Sequence, residues 1–289
     1  MNHNMAKRVV FLFLIALLIR TLYALFFVEL EYLSLEDQAL YIQLAQQIPE
    51  VGFLGIASER VPGYPLFISS IYSLFGESVY NIILIQILLD SISCVMIALI
   101  AYSIFSKGFW IAGILSAVNL NMIVLSALVL TDTLFLFLFI LFLFSLLQYL
   151  KCGRTKWFFL LVLFISLATL VRPSSYYLLP ILLISLVSWR LWRRDTILKI
   201  GMLVALYLVV SSTLLGGIHQ RNFQQYGSTA FVSQAGVHLL GWVIPATYQY
   251  SGQGSYQQGQ KLARDKLNSA LQRDYLESLS LNPFVSSNY

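Results

Sequence analysis

Thr133-Leu134-Phe135-Leu136-Phe137-Leu138-Phe139-Ile140-Leu141-Phe142-Leu143-Phe144-Ser145-Leu146-Leu147-Gln148-Tyr149-Leu150 runs without a single charge. A stretch of about 18 uncharged, apolar residues is long enough to cross the hydrocarbon core of a bilayer. No water is available there, so each backbone N–H and C=O must find its partner within the segment, and a helix satisfies that demand. Comparable runs fall at about 9–29, 79–104, 109–130, 157–172, 174–190 and 199–218. The sequence therefore predicts an all-α, polytopic transmembrane helical bundle of about seven spans.

Composition agrees. The chain is 58% hydrophobic and 11% charged, with a mean hydropathy of +0.77, against roughly 45–50% apolar residues in a soluble domain. The pI near 9.1 does not point to nucleic acid, because the eighteen Lys and Arg are scattered among short loops instead of forming one patch. Cys94 sits in an apolar run and Cys152 in a basic loop, so neither a disulfide framework nor a metal site follows from them. The first run is long, carries Arg20 and lacks a small-residue cleavage site, which makes it an uncleaved first span.

Orientation follows from the basic residues. With the N-terminus in the cytoplasm, the inner loops hold Lys7, Arg8, Lys107, Lys151, Arg154, Lys156, Arg190, Arg193, Arg194 and Lys199, ten of the eighteen. The first outer loop is acidic, with Glu31, Glu36, Asp37, Glu50 and Glu59 against Arg60 alone. The expectation is a multi-pass protein of the inner (plasma) membrane whose candidate site faces outward.

Two regions are not spans. The loop at about 30–78 is too long for a plain connection. Leu40, Tyr41, Leu44, Ala45 and Ile48 recur at helical spacing after Ser34, so an amphipathic helix is expected over about 35–48. Gly52, Gly55, Pro62, Gly63 and Pro65 then make a turn-rich stretch, and Leu66 to Phe75 is apolar but too short to span. The polar segment 219–289 is expected outside the membrane beside a core of residues 1–218, with one amphipathic helix marked by Leu262, Lys266, Leu267, Leu271 and Leu276.

Few residues can carry chemistry. Asp37 stands where a carboxylate at the membrane surface can meet both a lipid-borne and a water-borne substrate, and glycosyl transfer needs such a group to take or align the acceptor proton. Ser34-Leu35-Glu36-Asp37 also fits a helix-capping pattern, and on spacing alone Asp37 is a cap before it is a base. Arg60 lies in the stiff turn Arg60-Val61-Pro62-Gly63-Tyr64-Pro65, where a guanidinium can fork onto phosphate oxygens or simply pair with Glu59 or lipid head groups. Arg172 closes an apolar run before Pro173 against the positive-inside trend, so it either faces a partner or polar cavity or snorkels to the interface. Arg221 is a third candidate cation. Asp132 can be a second acid or, with Thr131, a cap for the following helix.

Arg20 and Asp90 fall near the middle of the first two spans. Each alone costs about 2.5–3.5 kcal/mol on insertion scales, so a mutual ion pair is expected, and exchanging the two residues should restore what a single neutralisation loses. His3, His219 and His238 show no ligand spacing, and the G-x-G-x-x-G, P-loop, H-E-x-x-H and G-x-S-x-G patterns are absent.

Four stretches in this order resemble the GT-C membrane glycosyltransferases, in particular the bacterial relatives of protein O-mannosyltransferases and of lipid A aminoarabinose transferases. They are Asp37-x-x-x-Tyr41-x-x-Leu44-Ala45 followed by Arg60-x-Pro62-Gly63-Tyr64-Pro65; Gln86-Ile87-Leu88-Leu89-Asp90; Leu167 to Pro173 with Ser174; and Arg221-Asn222-Phe223 with Gly227 and Ser233-x-x-Gly236. The resemblance implies a catalytic Asp37, carrier-phosphate contacts from Arg60, Arg172 and Arg221, and an inverting transfer from a polyprenyl-phosphate-linked sugar to a lipid, glycan or protein acceptor. Tyr64 and Asp132 complete the expected substrate-binding set. No cofactor is certain; the resemblance allows a divalent metal, though no ligand set is visible. Two departures stand out. Many relatives have Asp-Glu where this chain has Asp37-Gln38, and relatives commonly continue beyond the point where this chain stops, so a truncation is expected. The rival readings are a lipid or solute transporter, for which inverted repeats are missing, and a scaffold subunit of an envelope assembly that binds through its polar tail.

Overall fold

The computed structural model describes residues 3–28, 36–56, 60–233, 236 and 238–270, and every regular element among them is helical. The all-α expectation therefore holds. In chain order the elements are α1 (His3–Phe27), α2 (Glu36–Val51), α3 (Gly63–Phe75), α4 (Val79–Ile104), α5 (Gly108–Ala117), α6 (Leu120–Ser126), α7 (Thr131–Cys152), α8 (Thr155–Val171), α9 (Leu178–Trp192) and α10 (Ile197–Tyr226). A 3-10 turn over Pro173–Tyr177 precedes α9, and a π turn over Leu239–Val243 leads into the helices Ile244–Tyr250 and Tyr256–Ala270.

The count of about seven spans is not confirmed. Among the described residues five helices are long and apolar enough to cross a membrane, or six if α5 and α6 form one bent span. Two local events explain the difference. The run 109–130 breaks after Ala117, where Asn119 accepts from Met122 N–H at 3.0 Å and starts α6 at an angle of 52° to α5. The run 157–172 becomes the 17-residue α8, because Arg172 takes extended backbone (φ −143°, ψ 116°) ahead of Pro173. The helix expected at 35–48 is α2 and the short apolar segment is α3, while Ser34 and Glu59 lie outside the described residues.

Contacts divide the chain into two compact units, Met1–Gly55 with Pro62–Leu215, and Ile56–Val61 with Gly216–Tyr289. In the first, α4 packs against α1, α5 and α7, and α7 pairs with α8 through a tight turn at Gly153 (φ 63°). Phe11, Leu14, Leu18 and Leu25 of α1 stay exposed, as do Met202, Leu208 and Val209 of α10. Such apolar surface is tolerable when lipid is the solvent. Arg20 and Asp90 form the expected ion pair, both fully buried. Arg20 also donates to Ala16 O at 3.2 Å, Ala117 O at 3.1 Å, Ser116 O at 3.3 Å and Cys94 Sγ at 3.1 Å, so its guanidinium joins α1, α4 and α5.

Lys151 Nζ donates to Ser103 O and Arg190 Nη2 to Gly153 O at 3.5 Å, which gathers the chain near residues 104–108, 152–155 and 192–197 at one end of this unit. There Arg190 donates to Tyr149 Oη at 2.6 and 2.8 Å and to Asp195 at 2.6 Å, with its guanidinium over the rings of Tyr149 and Trp189. The hydrogen bond from Arg190 holds the Asp195 carboxyl below its ordinary range. This end carries Lys107, Lys151, Arg154, Lys156, Arg190, Arg193, Arg194 and Lys199, while α2, the start of α3 and the turns near 126–131 and 172 lie at the opposite end.

In the second unit the end of α10 folds onto the chain that follows it, with Asn222 Nδ2 donating to Ala230 O at 2.8 Å and Phe231 O at 3.0 Å. The helices Ile244–Tyr250 and Tyr256–Ala270 pack closely, since a Cβ on Gly259 would lie 2.8 Å from Pro245 Cα. The second of these is the amphipathic helix expected around Leu262 and Lys266; Leu271 and Leu276 lie outside the described residues.

Candidate active site

The site is built around the turn between α6 and α7. Gln86, two turns into α4 and fully buried, donates from Nε2 to Leu128 O at 2.6 Å and to Ser126 O at 3.3 Å. Its Oε1 accepts from Tyr64 Oη at 2.6 Å. Tyr64 is itself completely buried at the start of α3, and the ring of Tyr41 from α2 stands edge-on to it at 5.1 Å. Burial first, with Tyr41, Asp132 and Tyr72 around it, raises the Tyr64 phenol well above its ordinary 10, so it remains a neutral donor.

Gly63 explains how α3 comes so close. A Cβ at this position would lie 2.5 Å from Leu170 O and 2.6 Å from Leu170 C, both rigid backbone atoms of α8. Only a glycine lets Tyr64 begin its helix against that neighbour.

The same turn leads into Asp132, in the first turn of α7, which forms an ion pair with Arg172. Capping of α7 by Thr131 or Asp132 does not occur: Leu130 is the N-cap residue and makes no side-chain cap bond. Asp132 meets a cation instead, and that satisfies Arg172 at the end of its apolar run. Both side chains keep access to solvent, at 26% and 43% exposure respectively, and the Arg172 guanidinium lies 5.9 Å from the centre of the Phe135 ring. Behind it Ser175 Oγ contacts Thr169 Oγ1 at 3.0 Å and donates to Arg172 O at 3.1 Å, which secures the corner after α8.

Asp37 is exposed in the first turn of α2. Its neighbour Gln38 accepts from Val129 N–H at 2.9 Å, so the beginning of α2 is bonded directly to the turn that leads into Asp132. Asp37, Tyr64, Asp132 and Arg172 therefore share one end of the first unit. Arg60 and Arg221 belong to the second unit, where Arg221 is buried and donates to Ile56 O at 3.0 Å and to Asn222 Oδ1 at 2.9 Å, and Arg60 is half-buried on the short stretch that begins at Ile56. Among the described residues no three His, Cys, Asp or Glu side chains come together as metal ligands.

In the sequence Asp132 and Arg172 stand out separately, with nothing to pair them, and neither Gln38 nor Gln86 is marked for a role. A glutamine within an apolar run is a usable signal, because a polar side chain there needs a partner. Gln38, on a polar loop helix, offered none.

Architecture and polar end together define a multi-span helical membrane protein whose candidate acids and a solvent-accessible arginine collect at one end of the bundle. Residues 59–214, more than half of the 289-residue chain, match the dolichyl-phosphate-mannose-protein mannosyltransferase family, and the chain belongs to that family. It is thus a mannosyltransferase-like membrane glycosyltransferase. The matched stretch includes Arg60, Tyr64, Asp132 and Arg172; Asp37 and Arg221 fall outside it. No curated protein and no solved structure matches the chain.

Proposed function

We propose that the protein transfers a sugar from a polyprenyl-phosphate carrier to an extracytoplasmic acceptor, a lipid, glycan or protein, by inverting displacement at the Asp37 end of the bundle. The family's description names a dolichyl-phosphate mannose donor and a protein acceptor, and we carry the donor class to this chain. The acceptor oxygen attacks the anomeric carbon, the bond from that carbon to the phosphate oxygen breaks, and Asp37 takes the acceptor proton. Negative charge grows on the departing polyprenyl phosphate, where Arg172 stabilises it through charge-assisted hydrogen bonds. Asp132 holds Arg172 before the phosphate arrives, and Tyr64, kept neutral by burial, stiffens the wall behind the pair.

The observation that carries the reading is the half-exposed Asp132–Arg172 pair, joined through the 126–132 turn to the helix that bears Asp37, in a chain of this family. Eight basic residues at the opposite end support a cytoplasmic placement for that end, an outward-facing site and residence in the plasma membrane. The polar segment after about residue 219 then lies outside as well.

The donor class is tested with the full chain in liposomes, given either tritiated mannosyl-phosphoryl-polyprenol or tritiated GDP-mannose. The reading predicts that label leaves the lipid donor and that the nucleotide sugar is inert. Use of GDP-mannose in preference to the lipid would overturn it.

A further inference from the structure

We infer that Gln38 is a positioning residue for Asp37: its side-chain amide clamps the start of α2 to the turn before α7 and so sets where the neighbouring carboxylate stands relative to the Asp132–Arg172 pair. The inference rests on the proposed role of Asp37.

The clamp joins residues 91 positions apart, from Val129 N–H to Gln38 Oε1 at 2.9 Å. Its far end is a fixed point. Gln86 grips Ser126 O and Leu128 O from α4, Thr133 Oγ1 donates to Leu125 O at 3.0 Å, and Arg172 pairs with Asp132, so the turn is held from several directions. Its near end is the residue after Asp37. Successive residues on an α-helix point about 100° apart, which lets Gln38 turn inward, half-buried, while Asp37 stays exposed. The apolar packing of α2, through Tyr41, Leu44 and Ala45, lies further along the helix. It leaves the first turn, where Asp37 sits, to be placed by polar contacts such as this one.

The chemistry of the side chain matters. The Val129 N–H needs an acceptor, and an amide supplies one without adding charge beside Asp37 and Asp132. Glutamate at this position would supply an acceptor too, so the clamp survives Gln38→Glu. Leucine fills similar space and accepts nothing.

The experiment compares wild type, Gln38→Leu, Gln38→Glu and Asp37→Asn in liposomes, following tritium lost from mannosyl-phosphoryl-polyprenol to any acceptor, water included. Hydrogen exchange over residues 127–131 and the apparent thermal midpoint are read on the same samples. Misplacing a reacting group by about 1 Å costs on the order of a hundredfold, so Gln38→Leu is expected to lower kcat at least about tenfold with the donor KM within about twofold, faster exchange at 127–131 and an unchanged midpoint. Gln38→Glu should keep kcat within about threefold of wild type. Wild-type kcat in Gln38→Leu beside an inactive Asp37→Asn overturns the positioning role alone. Equal loss in the leucine and glutamate variants, unchanged exchange at 127–131, or a loss that follows a lowered midpoint also overturns it. Full turnover by Asp37→Asn overturns the reading of Asp37 and removes the basis of this inference.

Discussion

The phenol of Tyr64 and the amide of Gln86 meet at 2.6 Å with both side chains shut off from solvent, and the other end of that amide holds Leu128 O at 2.6 Å. One relay of two side chains thus links α3, α4 and the turn before α7. Removing the phenol oxygen with Tyr64→Phe leaves Gln86 Oε1 buried without this donor. An unsatisfied buried acceptor costs about 1–3 kcal/mol, and the expected outcome is a lower apparent thermal midpoint in detergent. Gln86→Leu added to Tyr64→Phe should cost less than the sum of the two single changes, because they act on one contact. Strict additivity in that cycle would show that the two groups do not act together.

Gly63 makes a sharper prediction. Alanine there places a methyl group 2.5 Å from Leu170 O, and neither backbone can yield without separating α3 from α8. Overpacking of this kind costs about 1–3 kcal/mol. Gly63→Ala should lower the thermal midpoint and, by shifting Tyr64, reduce transfer. The control is Gly216→Ala, where an added Cβ meets nothing within 4 Å; it should behave as wild type.

The buried Arg20–Asp90 pair tests how far charge alone explains an intramembrane contact. Neutralising either partner leaves an uncompensated buried charge, a loss of about 3–5 kcal/mol, so Arg20→Leu and Asp90→Leu should each give little folded protein on size-exclusion chromatography. Exchange of the residues is expected to restore only part of the yield. From the α4 position an arginine forfeits the set of contacts made from α1 to Ala16 O, Ala117 O, Ser116 O and Cys94 Sγ. The double replacement by leucine should recover more than either single one. Full rescue by exchange would mean that those backbone contacts contribute nothing.

The contrast between what could and could not be read in advance has a physical origin. Apolar runs announce helices because hydrocarbon forces each segment to satisfy its own backbone, and Arg20 and Asp90 found each other for the same reason. Composition is blind to geometry, however. It does not show the break at Asn119, and it leaves open whether a run as short as α8, ended by Arg172 ahead of Pro173, crosses the bilayer, so the count of about seven is not confirmed. The helix Ile244–Tyr250 is only seven residues long and carries Pro245 at its start, too short to show an apolar period. At the site, Asp132 and Arg172 were each visible as unusual charges, but their pairing across 40 positions was not. Gln38 and Gln86 were harder still. Their partners include backbone groups far along the chain, which no residue type advertises.

Whether the carboxylate of Asp37 takes the acceptor proton is decided by sugar transfer from mannosyl-phosphoryl-polyprenol, measured on purified full-length protein and on Asp37→Asn. A positioned general base contributes about 10²–10⁴-fold, so Asp37→Asn should lose at least about a hundredfold in kcat while carrier binding and the thermal midpoint are retained. Equal turnover by the two proteins would contradict that role.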